Sequence, residues 1–385
     1  MNDPLKKYRR RFRLWNNERK LLKEKQVYSV KFQKMGLSIP DDGDLRRELK
    51  KTFPQTAPKP MGQLEIIAIY HHYNWENYSL RPALEKFGNV RHYDWFDKFN
   101  HQDKDWRQQG KAHMNRALLE KVSKWVVEDP ADVIFMYVSG ELVYPDTLAA
   151  LRRFGIPMVN LALNDKEHFV SKIRSGLAFG TRDICRYFDL CWTSTEDALK
   201  KYRVEGARPL YLPEGANPEI HKPYAVEKTI DVSFVGQCYG NRATVINELQ
   251  NRGISAETYG SGWPNGPLTM GDMVKMYSRS KINLGFGGVS GHKDTFCLKG
   301  RDFEIPMSGG LYLTEDHPEL RSVFRLGEEI LTYNGMDDLF SKIKFYLAHP
   351  AEAETIRKKG YKRSIHEHTW KMRFNRIFRL LGILQ

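Results

Sequence analysis

Lys299, Arg301 and Glu304 fall close together in the run Lys299-Gly300-Arg301-Asp302-Phe303-Glu304-Ile305-Pro306-Met307-Ser308-Gly309-Gly310-Leu311-Tyr312-Leu313-Thr314. The pattern predicts a short helix stopped by two glycines and followed by a buried strand. Two cations and an acid where a helix feeds a parallel sheet suit a ligand that has both sugar hydroxyls and phosphates. A carboxylate accepts from two vicinal hydroxyls, while cations and helix N-terminal amides hold phosphate. The competing reading is a surface helix with an ordinary i,i+3 Arg–Glu pair. Against it, Glu304 lies about one turn before the Gly-Gly stop, and Leu311-Tyr312-Leu313 reads as a central strand, at whose edge such sheets bind ligands.

Three glycine-bearing loops accompany this segment. In Phe234-Val235-Gly236-Gln237-Cys238-Tyr239-Gly240-Asn241-Arg242 a strand runs through a loop at Gly236 into a helix with Arg242 in its first turn. That is either an anion cradle or a tight turn. It is not GxGxxG, and no GK[ST] occurs, which weakens dinucleotide and ATPase readings. In Tyr259-Gly260-Ser261-Gly262-Trp263 the glycines let backbone approach a planar ligand, with Tyr259 or Trp263 stacking on a base or else capping the core. Gly285 through Lys293 is a glycine loop that admits a diphosphate neutralised by Lys293 or Lys299, or is a plain surface loop.

Nearer the N-terminus, Asp165 stands just beyond a strand, as a general base for an acceptor hydroxyl or as the N-cap of the next helix. His71 and His72 follow another strand and either face a cleft or are structural. His366 and His368 share no helix face, so no zinc motif results.

The elements that must position these groups alternate strand and helix. Strands are expected at 64–70, 90–93, 132–138, 157–161, 190–193 and 209–212, with helices at 78–87, 112–127, 145–154 and from Ser194. A second series has strands at 230–235, 256–259, 282–286, 311–314 and 329–333 and helices at 241–251, 270–279, 336–348, 351–366 and 372–384. Such alternation means parallel sheets. The expected organisation is α/β: a basic helical extension and linker (1–60), a Rossmann-like acceptor domain (61–218), a Rossmann-like nucleotide-sugar domain (219–370) facing it across a cleft, and a C-terminal helix (371–385) packing back on the first domain.

The 385 residues are 41% hydrophobic and 12% aromatic, which argues against disorder and allows two or three domains. No apolar run approaches a membrane span, and four cysteines without metal spacing point to reduced thiols and a cytoplasmic protein, peripheral at most to a membrane surface. The net charge of +14 is uneven: residues 1–60 hold 17 Lys/Arg against 7 Asp/Glu, the remainder 44 against 40. The run Tyr8-Arg9-Arg10-Arg11-Phe12-Arg13-Leu14-Trp15 suits an anionic membrane surface or nucleic-acid phosphates, or a solvated helix that packs Leu14, Trp15, Leu21 and Leu22 on its own protein.

Taken in order, several segments resemble the CgeB-like, spore-maturation-type proteins within the glycosyltransferase group 1 families. They are Asp231 through Gly236, Tyr259-Gly260 with Trp263, Arg301-x-Phe303-Glu304 through Gly310, Leu320 through Phe324, Glu328 through Tyr333, and His368-Thr369-Trp370 with Arg373. The first domain matches more loosely, through Asn164-Asp165, Ser194 onwards and Leu212 through Asn217. The resemblance implies a GT-B fold and a nucleotide-sugar held in the C-terminal domain, with no metal or other cofactor. By it, Glu304 sits on the ribose hydroxyls, Arg242 nears the diphosphate with Lys299 or Arg301, and Tyr259 to Trp263 flank the base. Relatives carry two Glu eight positions apart; here the positions either side of Glu304 are Phe296 and Tyr312.

Three functions compete. The leading one is a cytosolic, metal-independent glycosyltransferase acting on a macromolecular acceptor (polysaccharide, protein or DNA), with Asp165 or His71 as base. A second is a DNA-base glycosyltransferase that uses residues 1–60 to hold DNA. The third is a non-catalytic nucleotide-sugar binder, suggested by the missing second acid.

Overall fold

The structure, a computed structural model, describes residues 4–385; the first three residues of the basic extension lie outside the described residues. Two compact units emerge. The N-terminal unit comprises Leu21–Pro213 and Trp370–Gln385, and the C-terminal unit comprises, among the described residues, 4–20 and Glu214–Thr369.

Helix α1 (Pro4–Lys34) meets no glycine and no proline after its first residue, so nothing interrupts its hydrogen-bond ladder. Its later turns dock on the N-terminal unit: Lys201 Nζ donates to Glu24 (2.7 Å), Lys25 Nζ to Asp197 (2.6 Å) and Tyr28 OH to Glu205 (2.8 Å). Tyr28 is buried edge-on to Phe169. Of the apolar residues proposed to pack, Trp15 and Leu22 are instead 53% and 60% exposed, because the helix is polar nearly all round. Helix α2 (Asp42–Thr52) is capped by Asp41, whose carboxylate accepts from Asp44 N, and buries Leu45 and Leu49.

The body of the N-terminal unit alternates β1 (Leu64–Ile69), α3 (Glu76–Glu85), β2 (Gly88–Tyr93), α4 (Lys111–Glu128), β3 (Val133–Met136), α5 (Pro145–Arg152), β4 (Met158–Ala162), α6 (Asp165–His168), a hairpin of β5 (Ile173–Arg174) and β6 (Leu177–Ala178), β7 (Leu190–Thr193), α7 (Leu199–Val204) and β8 (Pro209–Tyr211). The large sheet is parallel throughout, in the order β2-β1-β3-β4-β7-β8. Strand β1 shows why an unbroken apolar run fits: Ile66 and Ala68 enter the core on one face, Ile67 and Ile69 the core on the other. The helix expected from Ser194 starts later, because Thr195 accepts from Asp197 N and a 3₁₀ turn (Glu196–Ala198) comes first.

The C-terminal unit runs β9 (Ile230–Val235), α8 (Arg242–Asn251), β10 (Glu257–Tyr259), α9 (Met270–Arg279), β11 (Ser280–Leu284), α10 (Gly300–Met307), β12 (Tyr312–Glu315), β13 (Leu331–Tyr333), α11 (Gly335–Ala348) and α12 (Pro350–Glu367). Its sheet is also parallel, in the order β10-β9-β11-β12-β13. The chain then returns to the N-terminal unit as α13 (Trp370–Leu380), whose Trp370, Phe374, Ile377 and Phe378 form one apolar stripe in the core with Trp192 and Phe135.

In each sheet the strand order reverses once, between β1 and β3 and between β9 and β11. Loops leaving the carboxyl ends of strands on either side of such a reversal splay apart and leave a crevice. The positions of the chemically equipped residues follow from that.

Candidate functional site

In the C-terminal unit the crevice lies beside the loop after β9. Gly236 carbonyl accepts from Trp263 Nε1 (2.8 Å), and Gly236 N donates to Tyr259 O (2.8 Å), so the loop is tied to the end of β10. A side chain at 236 would come 3.0 Å from Arg301 Nη2, and one at 260 would strike Gly236 O at 2.4 Å. Glycine at these positions lets the Arg301 guanidinium and the neighbouring backbone close in. Arg301 rises from the first turn of α10, lies 5.4 Å over the Phe234 ring, and leaves Nη1 buried without a hydrogen-bond partner. Arg242 is 1% exposed; it donates to Gln237 O (2.7 Å) and Tyr239 OH (2.8 Å) and stacks 3.7 Å over the Tyr239 ring. Burial, then the like charge of Arg301, brings its pKa down to about 10, so it stays a cation at neutral pH. Arg242 braces the loop from behind.

The head of α10 is fixed by Asp302, which is buried and accepts from Lys299 N (2.8 Å) and from Tyr312 OH. Lys299 Nζ bridges to Gly288 O (3.2 Å) and Cys297 Sγ (3.3 Å) across the glycine loop. Glu304 is partly buried beside a second carboxylate: an atom in the Cβ position of Gly300 would lie 3.1 Å from Glu304 Oε1 and 3.4 Å from Glu214 Oε2. Burial, and then the charge of Glu304, pushes the Glu214 carboxyl up to about 8. Buried His221 accepts from Asn217 N on Nδ1 (3.3 Å), which leaves the proton of its neutral ring on Nε2, 3.8 Å from Glu304 Oε1. Burial holds its pKa below the usual histidine range.

Two of the expected residues stand apart from this cluster. Lys293 extends into solvent, 71% exposed, 3.6 Å from Asp294. Tyr259 turns its hydroxyl to Glu257 (2.8 Å) and borders a hollow walled by Leu268, Asp272 and Met276. The glycine loop itself is pinned by Glu18 of α1, which accepts from Thr295 OH (2.7 Å) and Lys293 N (3.3 Å).

The crevice of the N-terminal unit is a cavity of about 520 Å³ walled by residues that follow β1, β3 and β4 and by the exit of the β5–β6 hairpin. Asp165 belongs to its wall and is 2% exposed. Its Oδ2 accepts from Tyr202 OH (2.8 Å), while Oδ1 has no hydrogen-bond partner. Asn164 occupies the N-cap position of α6 and no side chain caps that helix, so the capping alternative for Asp165 falls away. Burial raises its carboxyl to about 7, against the opposing pull of the Thr193 and Tyr202 hydroxyls. His71 is not part of the wall: its Nδ1 lies 2.9 Å from Asp94, and its ring stacks on Phe96 at 4.2 Å and meets Tyr73 edge-on.

Glu214 and His221 were not singled out as site residues by the sequence. They reach Glu304 through space from some 90 and 80 positions away, and only the turn-rich character of Pro213 through Pro218 hinted that this connector matters.

Among solved structures, sucrose-phosphate synthase from Thermosynechococcus elongatus matches with a TM-score of 0.60 at 12% identity, over 83% of this chain and 99% of that one. The chain has the GT-B fold. Other GT-B structures agree: Anabaena HepE in complex with UDP (TM-score 0.56, 9% identity, 82% and 98% covered) and an alpha-glucosyltransferase in complex with UDP and a 13-mer DNA (0.55, 13% identity, 83% and 100% covered). Residues 242–379 match the family described as glycosyl transferase-like, a span holding Lys299, Arg301 and Glu304. No curated protein matches the chain.

Proposed function

We propose that this protein transfers a sugar from a nucleotide-sugar donor to a hydroxyl of an acceptor, with no metal required. The observation that carries the reading is the cluster in the C-terminal crevice: the unpartnered Arg301 Nη1 and Lys299 stand near the Glu304–Glu214 pair, in a region with glycosyl transferase-like sequence. Glu304 accepts from the ribose hydroxyls and Trp263 flanks the base. Arg301 and Lys299 meet the diphosphate. As the acceptor oxygen bonds to the anomeric carbon, the bond from that carbon to phosphate breaks and its electron pair leaves with the nucleoside diphosphate. Fixed cations stabilise that developing charge and so replace a metal ion. The acceptor proton goes to Asp165, favoured over His71 because Asp165 lines the N-terminal cavity and His71 stands outside its wall. The order of motifs favours the CgeB-like subgroup.

The reading is tested by release of nucleoside diphosphate from a donor panel, with and without candidate acceptors. Glu304→Ala abolishes release and EDTA leaves it intact. Strict dependence on a divalent ion overturns the metal-free mechanism, and binding without any release makes the protein a nucleotide-sugar binder.

The exposed run on α1, with Tyr8 70% and Phe12 57% exposed among arginines, supports a contact with an anionic surface, either membrane or nucleic acid. No helix of the described residues is long and apolar enough to cross a membrane. Free cysteines throughout the described chain fit a reducing cytoplasm.

A further inference from the structure

We infer that the cavity of the N-terminal unit binds the terminal sugar of an uncharged glycan, which serves as the acceptor; the inference rests on the transferase reading above. At about 520 Å³ the cavity is of the size that encloses a small ligand or a chain end, and not a duplex. Tyr73, Trp75, Tyr137 and Phe179 supply aromatic rings, and Glu141 and Asp165 supply carboxylates. A pyranose matches such a wall, because its C–H face packs on a ring while its rim of hydroxyls donates to acceptors.

Charge separates this ligand from a nucleic acid. Among the described residues that line the cavity there is no Lys and no Arg, in a chain that carries 61 of them. A phosphate backbone is held by neutralising cations, and here it would meet acids instead. Asp165 adds a second, independent pointer. Its Oδ1 is buried and makes no hydrogen bond, since the Thr193 hydroxyl beside the carboxyl donates to Thr195 O (3.2 Å), and a bound hydroxyl would supply one.

The wall is also fixed in advance. Gly140 N donates to Gly180 O (2.8 Å) and Glu141 N to Phe179 O (3.0 Å), so the loop after β3 is stitched to the hairpin exit. A Cβ at Gly140 would stand 2.2 Å from Ala178 O, and one at Gly180 1.9 Å from His168 O. Ser171, on the same wall, holds a left-handed backbone (φ 57°) outside any hairpin turn, an unfavourable conformation for a serine that the surroundings enforce.

The test is saturation-transfer NMR on the full chain with maltose, cellobiose, lactose and chitobiose, alongside glucuronic acid and a 13-mer single-stranded DNA. At least one neutral disaccharide receives saturation, and glucuronic acid binds at least tenfold more weakly. Glu141→Lys and Tyr73→Ala each weaken the sugar at least tenfold. Tyr73 is 52% exposed, so its variant folds even where Glu141→Lys does not. Sugar affinity unchanged in Tyr73→Ala, DNA displacing the sugar, or no binding by any neutral disaccharide overturns the inference. Thermal shifts by nucleoside diphosphates are recorded on the same samples. Shifts without sugar binding sink the glycan acceptor alone, and sugar binding without shifts sinks the transferase reading.

Discussion

The two crevices occupy the same topological position in two parallel sheets and are furnished in opposite ways. Beside β9 and β11 the chain gathers two guanidiniums and an ammonium close to paired carboxylates. Beside β1 and β3 it gathers aromatic rings, amides and acids, with no cation on the described wall. Topology decides where a crevice opens, because the reversal of strand order leaves the loops splayed. The side chains at the carboxyl ends of the strands decide which ligand it takes. One chain therefore carries a cation-bearing crevice in one unit and an aromatic, acidic one in the other.

Substitutions that affect only one crevice test that contrast. Asp165→Asn should lower transfer by about 10² to 10⁴, the usual span for a lost general base, and leave nucleoside diphosphate affinity unchanged in calorimetry. A parallel loss of nucleotide binding would break the division of labour. Arg301→Ala should do the reverse, weakening nucleoside diphosphate at least tenfold and lowering turnover by about 10² to 10³, as for other preorganised donors. Sugar binding measured by NMR should stay intact.

A smaller effect reads out the carboxylate pair through stability. Glu214 has its pKa raised from 4.5 to about 8, so the folded state favours its protonated form. That contribution is complete below about pH 4.5 and is lost as pH rises through 8. Chemical denaturation across pH 5 to 9 should show wild-type stability falling more steeply than that of Glu214→Gln; parallel profiles would show that the carboxyl is not held protonated. Smallest of all, Lys293→Ala should change turnover by less than about twofold, since an exposed ammonium beside Asp294 is screened by water.

Much of this architecture was legible in the chain. Apolar runs bounded by turn residues place strands at Leu190–Thr193 and Ile230–Val235 and a helix at Met270–Arg279, with the bounds the structure shows. Residues 165–189 were not legible. They fold into a four-residue helix, a hairpin of two-residue strands and a 3₁₀ turn, each too short for a periodicity to register. That stretch supplies a wall of the N-terminal cavity, which is why the sequence indicated Asp165 but not its surroundings. The second acid was sought eight positions from Glu304, where Phe296 stacks on His317 and Tyr312 bonds to Asp302. It arrives instead from Glu214, on a connector whose proximity to Glu304 only tertiary packing creates.

The glycine seam at 140 and 180 splits the N-terminal cavity into a half that tolerates no alteration and a half that does. Replacing either glycine would drive a methyl group into a carbonyl, so the stretch of wall that this seam holds is closed to diversification. Tyr73, exposed at the mouth, carries no such restriction. Relatives that accept different molecules, or laboratory variants selected to do so, should therefore differ at the mouth while keeping the seam.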